Sequence, residues 1–239
     1  MSFLGYSVLA VIPARGGSKG VPRKNLRKVA GMSLIEHAGG IAKSLNWLDA
    51  TIISTDDDEI AAEARSNGVD VPFMRPDYLA GDAALSVDVW QHAWLASEDY
   101  YKKRFDLSII LEPTSPMRRP TDIELTVRAL IDAKKSSAAT VSPTPAHYTP
   151  HKTLTVDETG TIGFYLKNGS NYSLRQAIPQ YYHRNGICYA ATRANVIENK
   201  MIIEKDSIAV IIDRPIVNID TFFDLEYANW LYERYKRKY

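Results

Sequence analysis

The sequence predicts an α/β fold with a mostly parallel sheet covered by helices, on three observations. Short β-branched and apolar runs alternate with helical patterns from residue 8 to residue 142. Glycine and proline mark the joins, and 239 residues with 45% apolar content are enough for one large domain or two small ones with a real core. Alternation of this kind is the pattern of parallel strands joined through helices.

The elements follow in order. Residues 8–12 form an apolar strand, followed by a loop with Gly16, Gly17 and Gly20 and then a helix over 33–45. Next come a strand at 51–55, a helix at 58–66, a short strand at 69–73, a helix at 85–102 and a strand at 107–111. A helix at 122–134 and a strand at 138–142 complete this part. From Pro143 to about Tyr182 the pattern changes to proline, threonine, tyrosine and histidine, which reads as an insertion with short strands at 152–156 and 161–166. Strands at 187–191, 208–212 and 215–219 and a helix at 222–234 return to the main domain. In such sheets ligands bind at the carboxyl ends of strands where the strand order reverses, so motifs at strand ends carry the most weight.

Composition excludes several classes. Twenty-nine basic and 28 acidic residues leave a net charge of +1, so no global field draws in nucleic acid or a membrane surface. The single cysteine, Cys188, lies in an apolar run, reads as core and suits a reducing compartment. No signal peptide or run of about 20 apolar residues is evident, so the expected location is cytoplasmic.

Charge is local instead. Arg15, Lys19, Arg23, Lys24, Arg27 and Lys28 are interleaved with the three glycines, and no acidic residue precedes Glu36. Glycine lets backbone N–H groups approach an anion, and Arg and Lys add charge-assisted bonds to phosphate oxygens, so a triphosphate is the expected guest. The loop fits neither G-x-x-x-x-G-K-[ST] nor G-x-G-x-x-G, which argues against a P-loop NTPase and a nicotinamide dehydrogenase.

The run from Ile12 to Gly20, followed by Pro22, Lys24 and Asn25, resembles the signature of the CMP-sialic acid synthetase (N-acylneuraminate cytidylyltransferase) family. Further blocks resemble it in the same order: Ser54-Thr55-Asp56, Arg75-Pro76 with Leu79-Ala80-Gly81-Asp82, and Pro113 to Arg118. Arg175-Gln176, Asn185-Gly186 and Ile219-Asp220-Thr221 complete the series. The resemblance implies a Rossmann-like nucleotidyltransferase fold in a single domain over 1–239, with an arm at about 143–183 that serves a homodimer and closes the acceptor site. It implies transfer of CMP from CTP to the anomeric hydroxyl of an acidic nonulosonic sugar, with Mg²⁺, or Mn²⁺ in its place. An eight-carbon ulosonic acid such as KDO is the alternative acceptor.

Carried over by position, the resemblance makes Arg15, Gly16, Ser18, Lys19, Lys24, Asn25, Arg75 and Ser115 nucleotide contacts, with Arg15 and Lys19 catalytic. It makes Asp220 the metal ligand, although the residues alone leave capping of the last helix equally open. Arg175 is the expected cation for the acceptor carboxylate, with Gln180 and Asn185 for its hydroxyl or amide groups. The family's second aspartate, two residues before Asp220, is Asn218 here, and Glu112 stands where glutamine is usual. Glu112 is therefore expected to replace part of the missing charge. Asp57 and Asp58 read as helix caps, while Asp82 is left between capping and the nucleotide. His147 and His151 lack the further ligands a zinc site needs, and Phe164, Tyr165, Tyr181 and Tyr182 suit either an N-acyl wall or dimer packing. Arg234, Lys236, Arg237 and Lys238 read as a solvated helix end.

Two further functions compete. Another nucleotidyltransferase, acting on a sugar or polyol phosphate, would need a phosphate site where Arg175 stands. A non-catalytic nucleotide or RNA binder would need more basic and aromatic patches than the near-neutral remainder supplies.

Overall fold

The computed structural model describes residues 3–172 and 174–236; the side chains of Arg175 and Lys236 fall outside it, as do Arg237 and Lys238. Its elements are β1 (Val8–Pro13), β2 (Lys28–Val29), β3 (Met32–Ser33), α1 (Leu34–Ser44), β4 (Ala50–Ser54), α2 (Asp58–Ser66), α3 (Ser86–Tyr101) and β5 (Leu107–Ile110). They continue with α4 (Pro120–Asp132), β6 (Ser137–Pro143), β7 (Leu154–Val156), β8 (Ile162–Phe164), β9 (Tyr182–Thr192), α5 (Arg193–Ile197), β10 (Ile208–Ile211) and α6 (Phe222–Lys236).

Six strands form the main sheet in the order β10-β6-β9-β5-β1-β4. β1 pairs in parallel with β4 on one side, with Val11 opposite Ile52, and with β5 on the other, with Val11 opposite Ile110. The chain therefore builds outward from β1 in both directions, which places the switch point at the carboxyl ends of β1 and β5. β5 pairs antiparallel with β9, Ile109 opposite Ala190.

The core forms where the apolar runs said it would. Val8 to Ile12 are wholly buried, as are Trp90 and Trp94 of α3. The Trp90 indole donates to Ser108 Oγ on β5 at 2.8 Å, so burying the ring leaves no orphan donor. A second cluster joins Val29, Leu34, Val217, Ile219, Ala228 and Leu231. Helix α1 starts at a capping box: the Glu36 N–H donates to Ser33 Oγ at 3.1 Å and the Ser33 N–H returns to Glu36 Oε2 at 2.5 Å.

Two expected strands are absent as ladders. Residues 215–219 alternate exposed and buried, yet Ile219 N–H to Thr114 O, 2.8 Å, is the backbone bond that ties them in. Val217 and Ile219 are buried against Ala228 and Leu231 of α6, so a helix produces the alternation that suggested a strand. Residues 69–73 keep a single parallel bridge, Ile52 to Asp70, and Pro72, which lacks an N–H, comes two residues later. Helix α5 and the hairpin strands β2 and β3 are too short for a periodic signal to reveal.

The chain divides into two compact units. The first takes the described residues up to Thr140, Asn185–Val210 and those from Pro215 on; the second takes Val141–Arg184 and Ile211–Arg214. Within the second, β7 and β8 pair antiparallel, Leu154 opposite Phe164, around a turn in which Asp157 Oδ1 accepts from the Thr159 and Thr161 N–H groups at 2.9 Å. His151 is buried there, its ring 4.0 Å from that of Tyr172 and its Nδ1 3.1 Å from the Tyr181 hydroxyl.

Candidate active site

All of the expected nucleotide and metal residues lie in the first unit: in the loop after β1, in the segment after α2 where Arg75 reaches the end of β4, in the segment after β5, and just before α6, where Asp220 stands. The loop leaves β1 through the Ala14 N–H, which donates to Ser54 O at 2.9 Å. The Gly16 N–H donates to Asp56 Oδ1 at 3.0 Å, so this amide braces the loop. A Cβ on Gly16 would stand 2.5 Å from Asp57 Oδ2, and one on Gly20 would stand 2.3 Å from the carbonyl oxygen of Asp220. Both glycines are close-approach positions, whereas Gly17 faces open space. Asn25, buried, donates from Nδ2 to Arg15 O at 2.9 Å and holds the loop from beneath.

Along the chain the loop's cations have no acidic neighbour, but in space they have four. Arg23, at a left-handed φ of 56°, pairs with Asp57 and Glu59; this pairing raises the arginine and holds the Asp57 carboxyl below its ordinary range. Lys24 Nζ sits 2.9 Å from Asp220 Oδ1 and donates to Ile219 O at 2.9 Å. Arg15 Nη1 and Lys19 Nζ converge on one carboxylate, Asp82, at 2.8 and 2.6 Å. Lys19 first and Arg15 second hold the Asp82 carboxyl below its ordinary range. The expectation of an uncompensated basic loop is therefore corrected: sequence distance hid Asp57, Glu59, Asp82 and Asp220. Ser18 is partly exposed in the same loop.

The floor is polar and buried. Arg75 donates from Nε to Ser54 Oγ at 3.1 Å and from Nη2 to Ser54 O at 2.5 Å, and burial pulls its guanidinium down to about 10 against the attraction of Asp56. Ser115, buried, donates to Asn185 O at 2.9 Å; Asn185 Oδ1 accepts from Thr140 Oγ1 at 2.6 Å and from the Ile187 N–H at 3.2 Å. Asn185 is thus a buried brace of β9. Gly186, at φ 69°, has Glu112 Oε2, Ser115 Oγ and Asn218 Nδ2 at 2.4, 2.6 and 3.5 Å from the position of an added Cβ. The structure brings together the two residues, Glu112 and Asn218, at which the chain departs from the family pattern.

Arg118, part of the Pro113 to Arg118 block, was given no role from sequence. It is buried and donates to Glu112 O at 2.5 Å, Ile187 O at 2.9 Å and Gly186 O at 3.1 Å. Burial lowers it to about 10. Near it, burial pushes Cys188 up to about 12, so this thiol is core and no nucleophile.

The open readings of the acidic residues resolve. Asp57 caps α2, its Oδ1 accepting from the Glu59 and Ile60 N–H groups at 3.0 Å. The cap of α6 is Thr221, whose Oγ1 accepts from the Asp224 N–H at 3.2 Å while Asp224 Oδ2 accepts from the Thr221 N–H at 2.8 Å. Asp220 is thereby free of capping duty and is 72% exposed beside Lys24. Helix α3 takes Leu85 as its N-cap without a side-chain bond, so Asp82 does not cap it.

Of the acceptor candidates in the second unit, Gln180 is exposed and donates to Tyr181 O at 2.7 Å. It lines a cavity of about 310 Å³ with Thr144, Pro145, Thr149 and Pro179. The side chain of Arg175 lies outside the described residues. Among the described residues no group of three histidine, cysteine or carboxylate side chains is placed to hold a metal by itself.

The chain belongs to the cytidylyltransferase family, whose model matches residues 9–233. It is 31% identical over 226 residues to the post-translational flagellin modification protein B of Campylobacter coli, covering 94% of both chains. It is also 31% identical to the CMP-N,N'-diacetyllegionaminic acid synthase of Campylobacter jejuni, again covering 94% of each. The N-acylneuraminate cytidylyltransferase of Escherichia coli is 29% identical over 97% of this chain and 53% of its own length. In fold it is similar to a CMP:2-keto-3-deoxy-manno-octonic acid synthetase complexed with CTP, with a TM-score of 0.69, 20% identity and coverage of 95% and 99%.

Proposed function

We propose that the protein transfers CMP from CTP to the anomeric hydroxyl of an acidic nonulosonic sugar and releases pyrophosphate. The observation that carries this reading is the convergence of Arg15 and Lys19 on a single oxyanion at the carboxyl end of β1, beside the Lys24 and Asp220 pair. Relatives named for legionaminic, pseudaminic and N-acylneuraminic acids support the acceptor class.

In-line attack on the α-phosphorus places growing charge on the departing pyrophosphate, so positioning and neutralisation do the catalytic work. Arg15 and Lys19 are suited to hold phosphate oxygens through charge-assisted bonds. Asn25, Asp56 and Asp57 fix the loop that carries them. Arg75 and Ser115, at the ends of β4 and β5, border the nucleotide site. Asp220 is an exposed hard-oxygen donor, and Mg²⁺ commonly binds through one or two carboxylates together with substrate phosphates, so the residues fit Mg²⁺ or Mn²⁺ carried in with CTP. The metal would supply neutralisation of the phosphates, and Glu112 beside Asn218 would add to the negative field.

A homodimer is the assembly this reading favours. The hairpin of β7 and β8 exposes Val156 (67%) and Ile162 (65%), and an isolated two-stranded hairpin is marginally stable in water. Light scattering on the purified chain tests it. The expected location is cytoplasmic, in keeping with a CTP-dependent reaction; no helix among the described residues is long and apolar enough to cross a membrane.

Activity is tested by following pyrophosphate release from CTP and Mg²⁺ with sialic, legionaminic, pseudaminic and eight-carbon ulosonic acids, against an Arg15→Ala control. Turnover with a nine-carbon acid that is lost in the control supports the proposal. Turnover with the eight-carbon acid alone replaces the acceptor, and none with any acid overturns the reaction.

A further inference from the structure

Asp82 is the one acidic group that contacts both Arg15 and Lys19 among the described residues. It is half exposed and sits on a slender segment. Residues 80–85 follow the turn Asp77–Leu79 and precede α3, and their backbone bonds are local: Ala80 N–H to Asp77 O at 3.0 Å and Ala84 N–H to Gly81 O at 3.2 Å. Gly81 meets nothing within 4 Å of an added Cβ, and Ala84 and Leu85 line an open cavity of about 580 Å³ with Tyr78, Gln91 and His92. The segment thus has room beside it, and its polar tether to the rest of the unit is the pair of ionic contacts to the loop after β1.

The other counter-ions are built differently. Arg23 is held by two carboxylates, one of them Asp57, which is 17% exposed and also caps α2. That pairing is structural. The Asp82 contacts join a half-exposed carboxylate to Lys19, 84% exposed, and to Arg15, 35% exposed, and ion pairs this open to water are weak and readily exchanged.

We propose that Asp82 is a displaceable counter-anion, whose carboxylate holds Arg15 and Lys19 together before the nucleotide arrives and is expelled by the phosphates. This rests on the reading of the loop as the triphosphate site. A carboxylate and a phosphate both supply anionic oxygens to the same donors, so occupancy is mutually exclusive. The exchange is one of ion pairs, with no covalent change. On the way in, Asp82 lowers the affinity for CTP; after transfer, it competes with pyrophosphate for the two cations and promotes product release. Residues 80–85 swing away with it and return.

The test uses the full-length protein with Mg²⁺ and measures binding of CTP and of inorganic pyrophosphate by calorimetry for the wild type, Asp82→Asn, Asp82→Glu and Arg15→Ala. Asp82→Asn is expected to bind both ligands about three- to tenfold more tightly, the span that loss of two solvent-accessible ion pairs implies. Asp82→Glu should return toward the wild type, which a merely structural role for the side chain would not require. Arg15→Ala should weaken both ligands. If Asp82→Asn binds both ligands no more tightly while Arg15→Ala weakens them, the counter-anion is overturned and the triphosphate loop stands. If Arg15→Ala changes neither affinity, the loop assignment falls and the counter-anion with it.

Discussion

The carbonyl oxygen of Asp220 stands 2.3 Å from where a Cβ on Gly20 would be, so the loop after β1 and the candidate metal ligand touch backbone to backbone. Replacing Gly20 by alanine forces one of them to move, because an overfilled backbone contact has no flexible end to yield. Gly20→Ala should lower kcat/KM about 10- to 100-fold through misplacement of Lys19 or Asp220, with the circular dichroism spectrum retained. Unchanged kinetics would show that the approach of loop to Asp220 is not needed for turnover.

Arg75 combines a buried charge with a structural carbonyl. Truncation to alanine takes the Arg75 donor from the buried Ser54 hydroxyl and one of two donors from Ser54 O, which keeps the Ala14 N–H, and a buried polar group that loses its partner costs about 1–3 kcal/mol. For a chain of this size that lowers Tm by roughly 2–12 °C, measurable by calorimetry. Arg75→Lys should recover little of it, since an ammonium lacks the planar fork that serves both acceptors.

Glu112 carries the charge question raised by Asn218. Glu112→Gln should raise the Mg²⁺ concentration for half-maximal activity several-fold, and Asn218→Asp in that background should bring it back. A magnesium titration of the three proteins decides it, and identical curves for the wild type and Glu112→Gln would remove Glu112 from the metal's surroundings.

His37 gives the fold an acid sensitivity. It is buried, its Nε2 is 2.7 Å from Val29 O, and burial lowers its pKa below the ordinary value. A histidine whose pKa is depressed on folding binds a proton more readily in the unfolded chain. Its contribution is therefore constant above the unfolded value of about 6.5 and is lost as pH falls from there toward the depressed folded value. Tm should fall between pH 7 and pH 5, and His37→Gln should flatten that part of the profile.

How much could be read in advance varied with the range of the interactions. Strand β1 and helix α2 were legible because their signals are local, an unbroken apolar run and an aspartate before a helix. Residues 215–219 misled because burial against α6 imitates the alternation of a strand. The direction of β9 was hidden, since antiparallel pairing with β5 is decided by partners far away in sequence. The basic loop was found correctly as a cluster of charge, but its counter-ions come from other elements, and a count along the chain could not see Asp82 or Asp220. Arg118 lay in view within a quoted block, yet only the folded positions of the 112, 186 and 187 carbonyls reveal why an arginine is needed there.

The three bonds of Arg118 also govern where the chain can change length. One rigid guanidinium reads the spacing between the 112–118 segment and the start of the buried part of β9, and its reach leaves no slack for an inserted or deleted residue in either. The 157–160 turn, whose bonds are confined to its own residues and Thr161, has no such gauge. Loop exchange between relatives should therefore succeed at that turn and fail around Arg118, whatever the chemistry of the residues brought in.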